Sequence, residues 1–198
     1  MAALSAPPGA AEAPGGAEAE AGPQAGWPGG ALLDSLQEAL ATLLESLEGT
    51  ALATVVRESA WLYPTAELLH ILGFVLLVGA AAMFDLRLLG LSRTIPVRAL
   101  AGHLLPWSRA GLLVAVPTGL LMFASDATAM AANPAFRLKL LLILAGGLNA
   151  LAFHLGPFRS VRDWDRHAPA PARARLAAVL SLLIWTAVIA AGRLIAYV

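Results

Sequence analysis

Histidines and carboxylates inside apolar stretches are the residues of this chain whose types and spacing could do chemistry. Glu67 and His70 stand one helical turn apart and would point the same way on a helix. Glu-x-x-His binds metal in four-helix carboxylate proteins, which use the motif twice together with two further glutamates. Because the motif occurs once here, we predict no metal site. Two interpretations stay open: a proton-handling Glu67–His70 couple, or an ion pair of Glu67 with Lys139 or Arg193.

Two other histidines, His103 and His154, stand at the ends of consecutive apolar segments. Consecutive membrane spans run in opposite directions, so both imidazoles should reach the same membrane level. Two imidazoles on neighbouring helices at one depth are the minimum for a b-type haem with two histidine ligands. Hydrogen bonding at the membrane interface is the alternative role. The remaining histidine, His167, lies in a polar loop and is expected to be solvated.

A second polar layer is predicted from Asp85, Arg109 and Asn149. Asp85 comes shortly before the first apolar segment ends, Arg109 lies about two turns into the second, and Asn149 precedes the end of the third by a similar distance. An ionisable group in hydrocarbon is costly without a partner, a cavity or a function. These residues therefore predict either an Asp85–Arg109 ion pair, assisted by Asn149, or a polar track for a proton or an anionic ligand.

The elements that must position these groups are four apolar segments. Of the 198 residues, 59% are hydrophobic and 13% are charged, and the mean hydropathy is +0.73. Such a composition excludes an ordinary soluble globule. The predicted spans are residues 65–89, 103–125, 136–155 and 176–197, each near the twenty residues that cross the hydrocarbon core. Their connections allow antiparallel neighbours, which predicts an all-α, integral membrane four-helix bundle over residues 61–198.

Basic residues predict how this bundle is oriented. We call the face where the first span begins side A and the opposite face side B. The arginines of the two side B loops are Arg87, Arg93, Arg98, Arg159, Arg162, Arg166, Arg173 and Arg175. By the positive-inside rule, side B is cytoplasmic, and both termini lie on the periplasmic side of a bacterial inner membrane.

The first sixty residues differ from the rest of the chain. Residues 1–30 consist largely of Ala, Gly, Pro and Glu and are expected to be a disordered tail. Residues 31–60 contain an amphipathic helix whose polar face is acidic, whereas helices that bind anionic lipid usually carry Lys and Arg there. We therefore expect this helix outside the membrane, with residues 31–58 as a docking site for a protein partner.

Several classes of protein are excluded. The net charge is zero, which gives no electrostatic case for nucleic acid, and the absence of cysteine rules out thiolate metal sites and disulfides. The chain has no phosphate-binding loop, no Gly-x-Ser-x-Gly elbow and no His-Glu-x-x-His. We therefore expect a protein without stand-alone enzymatic chemistry that contacts the lipid bilayer. A homo-oligomeric pore stays open.

Four stretches carry a resemblance to a known family. They are YPTAELLHILG (63–73), FDLRLLG (84–90), FRLK (136–139) and LNALAFH (148–154). Together they resemble a family of bacterial four-span membrane proteins of unknown function. More distantly, the arrangement is similar to copper-resistance D proteins and cytochrome b561-like haem proteins, which implies His103 and His154 as haem ligands.

The leading functional hypothesis is an electron-transfer subunit that binds one haem b between the second and third spans. A transport subunit for protons, ions or small solutes is the alternative from another class. It would use Glu67, His70 and Lys139 on side A with Asp85 and Arg109 on side B. A scaffold or assembly subunit is the third hypothesis.

Overall fold

The computed structural model describes residues 28–166 and 168–198. These residues form helices and no β-strand, which confirms the all-α prediction. The α-helices are α1 (Pro28–Glu48), α2 (Ala51–Glu58), α3 (Leu62–Leu89), α4 (Val97–Ser125), α5 (Ala127–Ala132), α6 (Pro134–Leu155) and α7 (Ala172–Leu194), and a 3₁₀ helix covers Pro157–Asp163. The prediction of a tail over residues 1–30 falls outside the described residues except at positions 28–30, where α1 has already begun. The prediction for His167 also lies outside them.

The helices α3, α4, α6 and α7 are long and apolar enough to cross a membrane, with mean hydropathies of 2.1, 1.4, 1.8 and 2.0. Each begins two to six residues before the predicted span. Prolines mark three of these starts: Pro96 caps α4, Pro134 opens α6 and Pro171 caps α7. Proline suits such positions because its missing N–H would lack a helical partner there in any case.

α1 and α2 meet at a bend of 61°. Thr50 caps α2, and its hydroxyl oxygen accepts a hydrogen bond from the Ala53 N–H. Taken together, the two helices are long and apolar enough for a fifth, broken span. The four long helices are therefore the minimum set of membrane crossings that the described residues offer.

The outward faces of the long helices are apolar. Leu113 of α4 is 75% exposed, Leu141 of α6 is 65% exposed and Leu183 of α7 is 63% exposed. A soluble monomer rarely leaves extended apolar surface in contact with water. Lipid chains remove that cost, while the helices satisfy their own backbone hydrogen bonds. This surface is suited to a bilayer.

α3 and α7 form the centre of the bundle. α3 packs against both α4 and α7, and α7 also packs against α6. Throughout these fully described helices, no Cα atom of α4 lies within 8 Å of one in α6. The second and third spans therefore have no close backbone contact and meet through side chains, as where the rings of Phe123 and Phe136 stack with their centres 5.4 Å apart.

Glycine allows α3 and α4 to approach closely. A Cβ on Gly111 of α4 would lie 2.5 Å from the Gly73 carbonyl oxygen and 2.6 Å from the Leu77 nitrogen of α3. A Cβ on Gly73 would lie 2.8 Å from the Ala115 nitrogen. The backbones themselves are in contact, which is how small residues hold membrane helices together.

The loops of side B are folded into a compact cap. Trp164 is 6% exposed and packs in one cluster with Phe84, Val97 and Phe153. Asp165 joins this cap to the start of α4, because its carboxylate accepts a hydrogen bond from the Arg98 N–H at 2.8 Å. The loop between α6 and α7 is therefore part of the packed core.

On side A, α2 packs against α3 and α4, and the last residue of α1 is hydrogen-bonded to α5. The Arg57 guanidinium donates to the Ser125 carbonyl at 3.1 Å. The Glu48 carboxylate accepts a hydrogen bond from the Thr128 N–H at 2.5 Å. This bond favours the charged carboxylate and lowers the pKa of Glu48 below its ordinary value.

Candidate functional site

The polar group that reaches deepest from side A is His70 of α3. It lies eight residues from the start of that helix, about 12 Å along the axis. Its Nδ1 is 2.8 Å from the Ala115 carbonyl oxygen of α4, so Nδ1 donates the hydrogen bond. Gly119 makes room for the ring, since a Cβ there would lie 2.9 Å from the His70 Cε1.

The backbone around this ring is disturbed by a proline. Pro117 lacks the N–H that would bind the carbonyl four residues earlier. The Thr118 hydroxyl donates to the Val114 carbonyl at 2.7 Å and lies 3.4 Å from the His70 Nδ1. Neighbouring hydroxyls commonly compensate for proline in membrane helices. Here the hydroxyl also lines the pocket of the imidazole.

Lys139 of α6 approaches the same level from the other side of the bundle. Its ammonium group lies 3.7 Å from the position that a Cβ of Gly192 on α7 would take. Its charge is near enough to act on the His70 ring. We call His70, Thr118, Lys139 and Gly192 the His70 layer, to which each of the four long helices contributes one residue.

The described residues do not form either of the ion pairs considered for side A. Across the described residues, Glu67 pairs with neither Lys139 nor Arg193. The Glu67 side chain is exposed on the surface of α3. Arg193 instead donates to the Tyr197 hydroxyl at 2.7 Å, and its guanidinium lies 5.1 Å from the centre of that ring. Within the described residues, no hydrogen bond or ion pair joins Glu67 to the His70 layer, although helical spacing puts it one turn away.

The described residues do not form the ion pair considered for side B either. Asp85 is 7% exposed and faces α7, where the Ser181 hydroxyl is its polar neighbour. Its Oδ2 has no hydrogen-bond partner in the part of the chain that the structure describes. Arg109 is exposed on α4 and makes no ion pair with Asp85 among those residues. Asn149 donates to the Ala177 carbonyl at 2.9 Å and links α6 to α7.

Arg87 is the buried cation that the sequence reading missed. It is 7% exposed, and its guanidinium donates to the carbonyls of Ile95, Arg93 and Asp165 at 2.6, 3.2 and 3.3 Å. The sequence prediction grouped Arg87 with the arginines of the side B loops, so its burial and its hydrogen bonds were not predicted. Arg87 lies inside the predicted span 65–89, where an unpartnered charge would be costly. That position could have indicated a hydrogen-bonded side chain.

His103 and His154 have different surroundings in the structure. His103 is exposed on α4, and no hydrogen bond or ring contact to another described residue holds it. His154 is half-buried and packs edge-on against Phe153 and Phe158, at 5.4 and 5.2 Å between ring centres. A groove lined by Arg98, Arg109 and Phe158 runs beside it, but His103 does not line that groove. The paired-histidine haem site stays a prediction without geometric support.

Metal ligands are also scattered. In residues 28–166 and 168–198, no three His, Asp or Glu side chains converge in a way that could hold a metal ion. The single Glu-x-x-His motif has one member at the surface and one in the bundle. The groups that do converge are bases, a hydroxyl and backbone carbonyls.

These features define the chain as a multi-pass helical membrane protein with ionisable groups inside its bundle. Residues 43–198 match the family described as "Family of unknown function (DUF6644)", and the chain belongs to that family. The predicted resemblance to a membrane family of unknown function is confirmed at this level. No curated protein and no solved structure matches the chain. The comparisons give no link to copper-resistance D or cytochrome b561 proteins.

Proposed function

We propose that the protein is a small membrane transport subunit that moves protons, with the His70 layer as its proton-handling site. The observation that carries the proposal is Lys139, an intramembrane ammonium group that packs beside Gly192 of α7 and has no carboxylate partner among the described residues. Ionisable residues inside a membrane are costly, and proton relays are one of the functions that retain them.

His70 has the geometry of a proton carrier. Its Nδ1–H is held by the Ala115 carbonyl, which leaves Nε2 with the lone pair that can accept a proton. An unperturbed imidazole gains and loses a proton near physiological pH. Lys139 supplies a second exchangeable group within the same layer.

Asp85 is the candidate second station toward side B. It shares α3 with His70, and its position fifteen residues later places it about 22 Å further along the helix axis. Its unpartnered Oδ2 leaves one carboxyl oxygen free to exchange a proton. A separation of this size requires water or a helix movement between the two groups, so transport would be stepwise.

We further propose that side B faces the cytoplasm of a bacterial cell, so that the His70 layer opens to the periplasmic side. The arginines of the two side B loops support this orientation. Side A carries the acidic α1, which supports a protein partner on that side rather than anionic lipid.

Proton flux in liposomes tests the proposal. Purified protein is reconstituted with a pH-sensitive dye inside, and a potassium gradient with valinomycin sets the membrane potential. We expect the wild type to acidify the liposome interior, which the dye reports. In Lys139→Met and His70→Gln, proton flux should fall to the level of protein-free liposomes. Asp85→Asn should reduce it as well.

His103→Gln is the matched control, because it replaces an exposed imidazole that no described residue binds. It should leave flux unchanged. Wild-type flux no greater than that of empty liposomes would overturn the proposal, as would a normal rate in a correctly folded Lys139→Met protein. A reduced b-type absorption spectrum that disappears in both His103→Gln and His154→Gln would favour the haem hypothesis instead.

A further inference from the structure

A cavity of about 150 Å³ lies in the side B cap, away from the His70 layer. Its walls come from the end of α3, the turn that follows and the segment that leads into α7. The guanidinium-bearing residues Arg87, Arg93, Arg166 and Arg175 line it, and no carboxylate of the described residues does. The cavity is small for a drug-sized ligand and suits a compact anionic group.

Most of the positive charge around this cavity has no partner among the described residues. Within residues 28–166 and 168–198, the side chains of Arg93, Arg166 and Arg175 make no hydrogen bond and no ion pair. Asp165 is the nearby carboxylate, but its Oδ1 binds the Arg98 N–H at the start of α4. The cavity therefore keeps three free guanidinium groups beside the buried Arg87.

A glycine turn builds one wall of the cavity. Gly90 ends α3 with a φ of +112°, a left-handed conformation that glycine adopts without steric cost. A Cβ at Gly90 would lie 2.8 Å from an Arg93 guanidinium nitrogen. The turn thus folds Arg93 back over the end of the helix, into the wall where Arg87 already lies.

We infer that this cavity binds a phosphate group, carried by an anionic phospholipid or present as free phosphate. Guanidinium groups match phosphate oxygens in charge and in hydrogen-bond geometry. The ends of α3 and α7 put the cavity at the membrane surface, and basic pockets at such positions bind lipid headgroups. The positive-inside rule accounts for arginines in these loops, but it does not require them to converge on one cavity.

Thermal melting of the full-length protein in neutral detergent tests this inference. One arm of the experiment compares the melting midpoint in sodium phosphate with that in sodium chloride at equal ionic strength. The other arm compares the melting midpoint in mixed micelles that contain phosphatidylglycerol with that in micelles that contain phosphatidylcholine. At about a hundred times its Kd, the effective probe should raise the melting midpoint by roughly 5 °C or more. Stabilisation by phosphate would identify the free anion, and stabilisation by phosphatidylglycerol alone would identify a lipid headgroup.

The double variant Arg93→Gln/Arg175→Gln should lose this stabilisation, with apparent affinity at least about tenfold weaker. Arg159→Gln/Arg162→Gln is the matched control, since it removes two exposed arginines of the same cap that do not line the cavity. It should bind as the wild type does. Absence of stabilisation by either probe would overturn the inference, and so would equal loss in the two double variants.

Discussion

Replacing Gly111 by leucine should separate α3 from α4 and produce the largest loss of stability of any single change considered for this protein. A Cβ on Gly111 would lie 2.5 Å from a backbone oxygen and 2.6 Å from a backbone nitrogen of α3. Neither atom can rotate away as a side chain could. Overpacking typically costs about 1–3 kcal/mol, and we expect Gly111→Ala near the upper end of that range and Gly111→Leu above it.

Gly79→Ala on α3 and Gly102→Ala on α4 are the controls, because a Cβ at either position meets no heavy atom within 4 Å. Both should leave the free energy of unfolding unchanged or slightly raise it, since alanine favours a helix over glycine. The measurement is unfolding by SDS titration in mixed micelles. A Gly111→Leu protein as stable as the Gly102→Ala protein would show that the two helices are not in backbone contact.

Replacing Arg87 by glutamine should loosen the side B cap. The guanidinium donates to three backbone carbonyls from two parts of the chain, the turn after α3 and the segment before α7, the closest at 2.6 Å. Glutamine cannot reach all of them, and a buried carbonyl without its donor costs about 1–3 kcal/mol. We expect the free energy of unfolding to fall by about 3 kcal/mol, with Arg87→Lys losing nearly as much because an ammonium group cannot serve three diverging acceptors.

Fluorescence offers a direct measurement, because Trp164 is buried in the cap. In Arg87→Gln, quenching of tryptophan by acrylamide should increase. Arg98→Gln is the control, since its side chain is exposed and only its backbone N–H is used in the cap. Unchanged stability together with unchanged quenching in Arg87→Gln would mean that the three hydrogen bonds do not hold the loops.

The membrane spans were predictable because hydrocarbon thickness imposes a length on apolar segments. All four appear, and their ends differ from the prediction by a few residues, since backbone hydrogen bonding continues a helix past the limits of its apolar part. Packing order was not predictable from length. Short connections allowed every consecutive pair of spans to be neighbours, but α4 approaches α3 closely at Gly73 and Gly111 and meets α6 through side chains such as Phe123 and Phe136.

The residue types of the candidate site were predictable from the sequence, but the pairs of side chains that meet were not. Depth along a helix places Asp85 level with Arg109, yet Asp85 faces α7 and Arg109 lies at the surface. Depth leaves the rotation of each helix about its axis undetermined, and rotation decides which side chains meet. His70 and Lys139 share a layer because the glycines at 119 and 192 leave room for their side chains, a feature visible only once the helices are placed.

The central claim is that four helices cross a bilayer with the arginine-rich loops together on one face. The chain has no cysteine, so single cysteines can be labelled without background. The exposed positions Thr94→Cys and Ala168→Cys report side B, and Ala132→Cys and Ala196→Cys report side A. With an impermeant maleimide applied to right-side-out and inverted membrane vesicles, we expect the first pair to react only in inverted vesicles and the second pair only in right-side-out ones. Reaction of Thr94→Cys and Ala168→Cys from opposite faces, or of all four positions from one face, would contradict the account.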